Sequence, residues 1–88
     1  TLMGEKYSQS LAYPLENRLA DFILQTAYEG VYKEKHIIVC DYLGVTYRHL
    51  LHVLAQFCEK GYLQKEGRYY LIKQYQSLYK LAGMLKNR

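Results

Sequence analysis

The stretch DYLGVTYRHLLHVLAQF, residues 41–57, decides the fold, because two short helical patterns meet in it at a glycine. Upstream of the meeting point Ile38, Val39, Tyr42 and Leu43 mark a short helix, and Gly44 supplies the left-handed turn that a bulky or β-branched residue resists. Directly behind it Thr46 is a good N-cap for a second helix. In that helix Leu50, Val53, Leu54 and Phe57 recur at helical spacing as an inward stripe, while Arg48, His52, Ala55 and Glu59 fall on the opposite face. Gly61 ends it. Two helices about three residues apart, turned on glycine and with the second capped by threonine, are the sequence form of a helix-turn-helix.

The flanks complete the unit. Pro14 is preformed for the first turn of a helix, and Leu15, Leu19, Phe22 and Ile23 follow at helical spacing, leaving Glu16, Asn17 and Asp21 for water. This helix is expected to run to about Tyr28 and stop at Gly30, with a short extended piece, Val31 to Glu34, behind it. After Gly61 the period changes. Tyr62 to Lys65 and Tyr69 to Lys73 are rich in aromatic and β-branched residues and meet through Glu66-Gly67-Arg68, which predicts a β-hairpin. Leu78, Leu81, Ala82 and Leu85 return to helical spacing in a closing helix over Ser77 to Leu85. The expected fold class is α+β, mostly helical: a winged helix-turn-helix with a three-helix core, a β-hairpin wing and an extra C-terminal helix. Residues 14–88 form the domain; residues 1–13 lack a clear period and read as a linker or the end of a preceding element.

With 88 residues the chain is smaller than the roughly 100 to 150 residues at which domains cluster, so one core is expected and an enclosed catalytic cleft is hard to build. Half the residues are apolar and 23% are charged, outside the range of disordered chains. No apolar run exceeds four residues, as in Ile37 to Cys40, which excludes a membrane-spanning helix. No secretory signal is visible and Cys40 and Cys58 are too few for a disulfide framework, so a cytoplasmic location is expected. Charge is distributed unevenly. Residues 1–44 hold four basic against six acidic side chains, and residues 45–88 hold eight against two. A basic second half suits a polyanionic partner.

The stretch from Asp41 to Phe57 resembles the helix-turn-helix of Crp/Fnr-type bacterial transcription regulators. PLENRLADFIL (Pro14 to Leu24) and the segment from Glu34 to Phe57 are close to one member of that family. The resemblance covers most of residues 14–73. It implies double-stranded DNA as partner, with the first residues of the second helix of the motif in the major groove and the wing on the sugar-phosphate backbone. By position, Thr46 caps the helix and touches phosphate; Tyr47, Arg48, His49 and His52 face base edges or flanking phosphates; Lys65 and Arg68 anchor the wing to phosphate. Where the common family pattern has Ser followed by Arg-Glu-Thr-Val and a second Arg, this chain has Thr46-Tyr47-Arg48-His49-Leu50 and then His52, so the resemblance does not extend to the family's usual operator. The resemblance further implies a sensor domain and a dimerisation helix, of which residues 1–13 would be the end. A homodimer is implied for the longer protein. No cofactor is expected in this chain, and the effector of the sensor is left open.

The residue chemistry is consistent with that implication. Arg48 leaves the first turn of its helix, and its planar fork of donors matches guanine O6 and N7. Lys65, Arg68 and Lys73 can neutralise phosphates without reading sequence, although charged residues on an edge strand also deter aggregation. His36 with Cys40, and His49 with His52, have helical spacings that could hold a metal, but neither matches a standard finger. No metal is expected: Cys40 reads as a small packing residue and His36 as a cap. Of the eleven tyrosines, Tyr7, Tyr69, Tyr70 and Tyr75 could stack on unpaired bases, but packing with the hydroxyl toward water is the expected role. No Ser/His/Asp set, paired carboxylates or phosphate-cradling loop is present, so an enzyme is not expected. The competing function is a winged helix used as a protein-interaction module, docking through the same second helix.

Overall fold

Pro14 occupies the cap position of the first helix, with φ −58° and ψ 156°, and the chain turns helical at the next residue. The computed structural model describes residues 13–86, with side chains through residue 83. In chain order the elements are α1 (Leu15–Thr26), β1 (Val31–Tyr32), α2 (His36–Leu43), α3 (Tyr47–Glu59), β2 (Leu63–Glu66), β3 (Tyr69–Ile72) and α4 (Tyr75–Lys86). These are the elements of a winged helix-turn-helix with a closing helix, as the sequence predicts. Residues 1–12, and with them nearly all of the expected linker and Tyr7, lie outside the described residues.

The inward stripe of α3 is as expected. Leu50, Val53, Leu54 and Phe57 are all buried. They meet Leu15, Leu19 and Ile23 of α1, Val39 and Leu43 of α2, and Leu63 and Ile72 of the sheet in one hydrophobic cluster. α4 closes the core by packing along α1, and its Leu78 is fully buried.

Gly44 joins the two helices of the motif in the left-handed region, at φ 70° and ψ 40°, and its N–H donates to the Cys40 carbonyl. A β-branched side chain is strongly disfavoured at such an angle. Gly44→Val is therefore expected to lower stability by more than about 1 kcal/mol, read as a shift in denaturant midpoint at unchanged slope; an unchanged midpoint would remove the positive-φ turn from this account.

Two helix bounds differ from those expected. α1 stops at Thr26, short of Tyr28. The chain instead reverses through Glu29 and Gly30, at φ 52° and 79°, a pair of positive angles characteristic of a type I′ turn. Tyr28 and Val31 exchange backbone hydrogen bonds of 2.9 and 3.0 Å across it. The extended piece beyond is present as a strand: Val31 and Tyr32 pair antiparallel with Leu71 and Tyr70. The wing is thus part of a three-stranded sheet of order β1-β3-β2. α4 starts at Tyr75, one half-turn ahead of Ser77.

Asn17 does not face water. It is 3% exposed, and its Nδ2 donates to the Leu81 carbonyl at 3.0 Å, tying α1 to α4. Beside it Arg18 is buried as well. Its Nη1 donates to the Leu43 carbonyl at 2.8 Å and its Nε to the Tyr13 carbonyl at 3.1 Å. Burial lowers the Arg18 pKa, but arginine stays protonated in proteins. Leu43 is the last residue of α2, so the cation meets unsatisfied carbonyls at the negative end of a helix dipole.

Candidate nucleic-acid interface

Two elements build the surface: the outer face of α3 and the β2–β3 wing. The first turn of α3 is fixed by Thr46, whose Oγ1 accepts from the His49 N–H at 3.1 Å. The hydroxyl proton of Thr46 remains available to donate outward. Behind the cap, Tyr47, Arg48, His49 and His52 are all exposed, as is Thr46 itself. The stripe that packs α3 on the core dictates this, since these positions lie outside it.

On the wing Gly67 and Arg68 form the tip between β2 and β3, and Arg68 is exposed. Lys65 is folded back along the hairpin. Its Nζ donates to the Gly67 carbonyl at 3.0 Å and lies 5.4 Å from the centre of the Tyr70 ring, within cation–π range. Lys73, also expected on the hairpin, is exposed just past β3.

Between α3 and the wing runs an open trough of about 1420 Å³. Tyr47 and His52 line it from the helix and Lys65 and Arg68 from the wing, so four of the sequence-derived residues share one concavity. Arg48 and His49 are not part of its wall; they leave α3 outside it. The Lys33 to Ile37 segment closes the trough's third side.

Where that segment meets the other two, His36 is wedged between aromatic rings. Its ring centre lies 5.9 Å from that of Tyr47 and 6.1 Å from that of Tyr70. It is not a cap: it is the first residue of α2, the cap position belongs to Lys35, and no side-chain cap bond forms. His36 Nδ1 is buried without a hydrogen-bond partner among the described residues. Burial first, and Lys65 second, lower the pKa of the imidazole. The sign for stability follows from linkage. Above about pH 7 the ring is neutral in both states; as pH falls through its ordinary value near 6.5 the unfolded chain binds the proton first, so the folded state loses stability until its own lower pKa is passed. Lowering the pH from 7.5 to 5 is thus expected to depress the melting temperature of the wild-type chain more than that of His36→Phe. Parallel shifts in the two proteins would show that His36 titrates normally.

Cys40 and Cys58 are half-buried free thiols packed against the core, and burial raises the pKa of each. Among the described residues no cluster of three or more His, Cys, Asp or Glu has the geometry to hold a metal. No helix among them is long and apolar enough to cross a membrane. Of the tyrosines considered for stacking, Tyr70 is 5% exposed and unable to offer a face to a base. Tyr75 is stacked on Tyr79 along α4. The sequence reading did not single out Leu51, which lines the trough and is exposed. Its signal was present, since a leucine directly after Leu50 falls outside the inward stripe.

No family model matches the chain. It is 51% identical over 75 residues to the regulatory protein YeiL of Escherichia coli O157:H7, a match covering 85% of this chain and 34% of YeiL. The fold is shared with FixK2 of Bradyrhizobium japonicum at a TM-score of 0.76 and 26% identity, covering 88% of this chain and 43% of that one. It is shared also with TTHA1359, a CRP/FNR-family transcriptional regulator of Thermus thermophilus, at a TM-score of 0.77 and 21% identity, over 90% of this chain and 46% of that one. The chain therefore spans about a third of YeiL and under half of the solved regulators. With its helix pair turned on Gly44 and its wing, the chain has the winged helix-turn-helix fold, the fold it shares with solved CRP/FNR-family regulators, and it is similar in sequence to the regulatory protein YeiL.

Proposed function

We propose that the chain binds double-stranded DNA sequence-specifically, as the output domain of a transcription regulator. The first turns of α3 enter the major groove, and the wing lies on the sugar-phosphate backbone. The observation that carries this reading is the exposed start of α3, whose Tyr47 and His52 share one trough with Lys65 and Arg68 of the wing, with Arg48 exposed beside it. Arg48 has the donor geometry for a guanine edge, and the wing cations have no need of sequence. Thr46 contributes a phosphate donor, and Tyr47, His49 and His52 supply further groove-facing groups. Control by a sensor domain and pairing of two copies on a two-fold site belong to a longer protein, in keeping with the fraction of YeiL that the chain spans.

One recognition helix and one wing neutralise about three or four phosphates, so log affinity is expected to fall with log salt at a slope of about −3. Fluorescence anisotropy of labelled duplex across a salt series measures it. No binding at low salt would instead favour docking on a protein through α3.

A further inference from the structure

Three residues of α3 form an apolar row on the side that faces the wing. Tyr47 is 54% and Leu51 38% exposed, Ala55 is exposed too, and all three line the trough. Their spacing of four places them one above another on the helix. A single exposed leucine needs no explanation, but this row runs beside the residues that face the groove in the proposed complex.

The rest of the outer face narrows what the row can meet. The first three turns of α3, Tyr47 to Cys58, contain no Asp or Glu, and Glu59 stands at the far end of the helix, so no carboxylate near its start is placed to accept from the cytosine amino group. Asparagine is absent from α3, and Gln56, the side chain suited to adenine, lies in its third turn. Arg48 suits guanine. The remaining distinctive feature of a major-groove edge is the C5-methyl of thymine, which apolar side chains recognise by contact. The rim of the trough carries Lys33, Lys35, Lys65 and Arg68 against Glu34 and Glu59, a net positive border that fits a polyanion.

We propose that Leu51, with Tyr47 and Ala55 beside it, reads thymine C5-methyl groups, so that the preferred half-site presents thymines to this row. The inference rests on the DNA-binding reading above and adds to it a specificity determinant outside the polar set. Leu51 and the methyl lose water together on contact, and each methyl removed is expected to weaken binding about fourfold.

The test uses the tightest duplex that the 88-residue chain recovers from a random pool, prepared once with thymine and once with deoxyuridine throughout. Uracil keeps the pairing and the O4 acceptor and lacks only the methyl. Affinities are measured by anisotropy at low salt for the wild type and for Leu51→Ala, an exposed helix position where alanine is the favoured residue; the melting curve of the variant checks its fold. The expected result is a loss of about fourfold or more on uracil duplex for the wild type. For Leu51→Ala the two duplexes should then differ by less than about twofold. Equal wild-type affinity for both duplexes would overturn the inference and leave the DNA reading standing. So would an equal uracil penalty in both proteins, because the loss would then lie in the duplex itself. Failure of the wild type to bind any duplex would overturn the DNA-binding reading itself.

Discussion

Leu54→Ala is expected to destabilise the chain by about 2 to 5 kcal/mol, lowering the melting temperature by on the order of 10 °C or more for a domain of this size. Leu54 is 1% exposed and belongs to the cluster in which α3 meets α1, α2 and β2. Truncation removes methyl groups from the core and leaves a cavity that three surrounding layers cannot all collapse into. Leu51 provides the internal comparison. It has the same side chain, in the same helix, three residues earlier, but on the exposed side. Leu51→Ala should change stability by less than about 0.5 kcal/mol. Thermal unfolding followed by circular dichroism measures both, and equal melting temperatures for the two variants would mean that the rotation of α3 described above is wrong.

The second large effect concerns the division of labour between helix and wing. Arg48 leaves the first turn of α3 outside the trough, whereas Arg68 sits at the wing tip. If the proposed docking is right, Arg48→Ala should weaken binding to the cognate site by about 1 to 3 kcal/mol and relax preference at one base position. Random duplex should be bound nearly as before. Arg68→Ala should weaken cognate and random duplex by similar factors and reduce the salt slope by about one unit. Both side chains are exposed, so neither substitution threatens the fold. Titrations of both variants on both duplexes decide the matter. A uniform loss from Arg48→Ala would make it a phosphate contact and pass base reading to Tyr47, His49 or His52.

The parts of this molecule that could be read in the sequence are those that neighbouring residues dictate. Gly44, the Thr46 cap and the stripe from Leu50 to Phe57 each follow from local chemistry: a backbone angle, an oxygen three residues ahead of an N–H, a period. Asn17 and Arg18 could not be read that way. Both are polar, and what makes their burial tolerable is a carbonyl of Leu81 in one case and of Leu43 and Tyr13 in the other. A periodicity argument contains no such partners. β1 is likewise too short to show alternation, and only its pairing with β3 defines it as a strand. In the candidate interface, exposure of the residues from Thr46 to His49, and of His52, followed from the inward stripe. The wedge of His36 between Tyr47 and Tyr70 did not, because three separate elements contribute to it.

The third strand changes the mechanics of the wing. Tyr70 and Leu71 are paired on both sides, with Tyr32 and Val31 on one edge and with Lys65 and Gln64 on the other. Tyr69 has only Glu66 opposite it, and Gly67 and Arg68 have no strand partner among the described residues. The hairpin is therefore a cantilever, clamped at Tyr70 and free at its tip. In the docking proposed above, Arg68 at the tip is the part of the wing left to adjust to a curved or irregular strand of phosphates, because the doubly paired Tyr70 and Leu71 stand between it and the core. Lengthening the arm by a residue pair would soften it; cutting the Val31–Tyr32 edge would move the fulcrum inward, toward Ile72 and the hydrophobic cluster it belongs to.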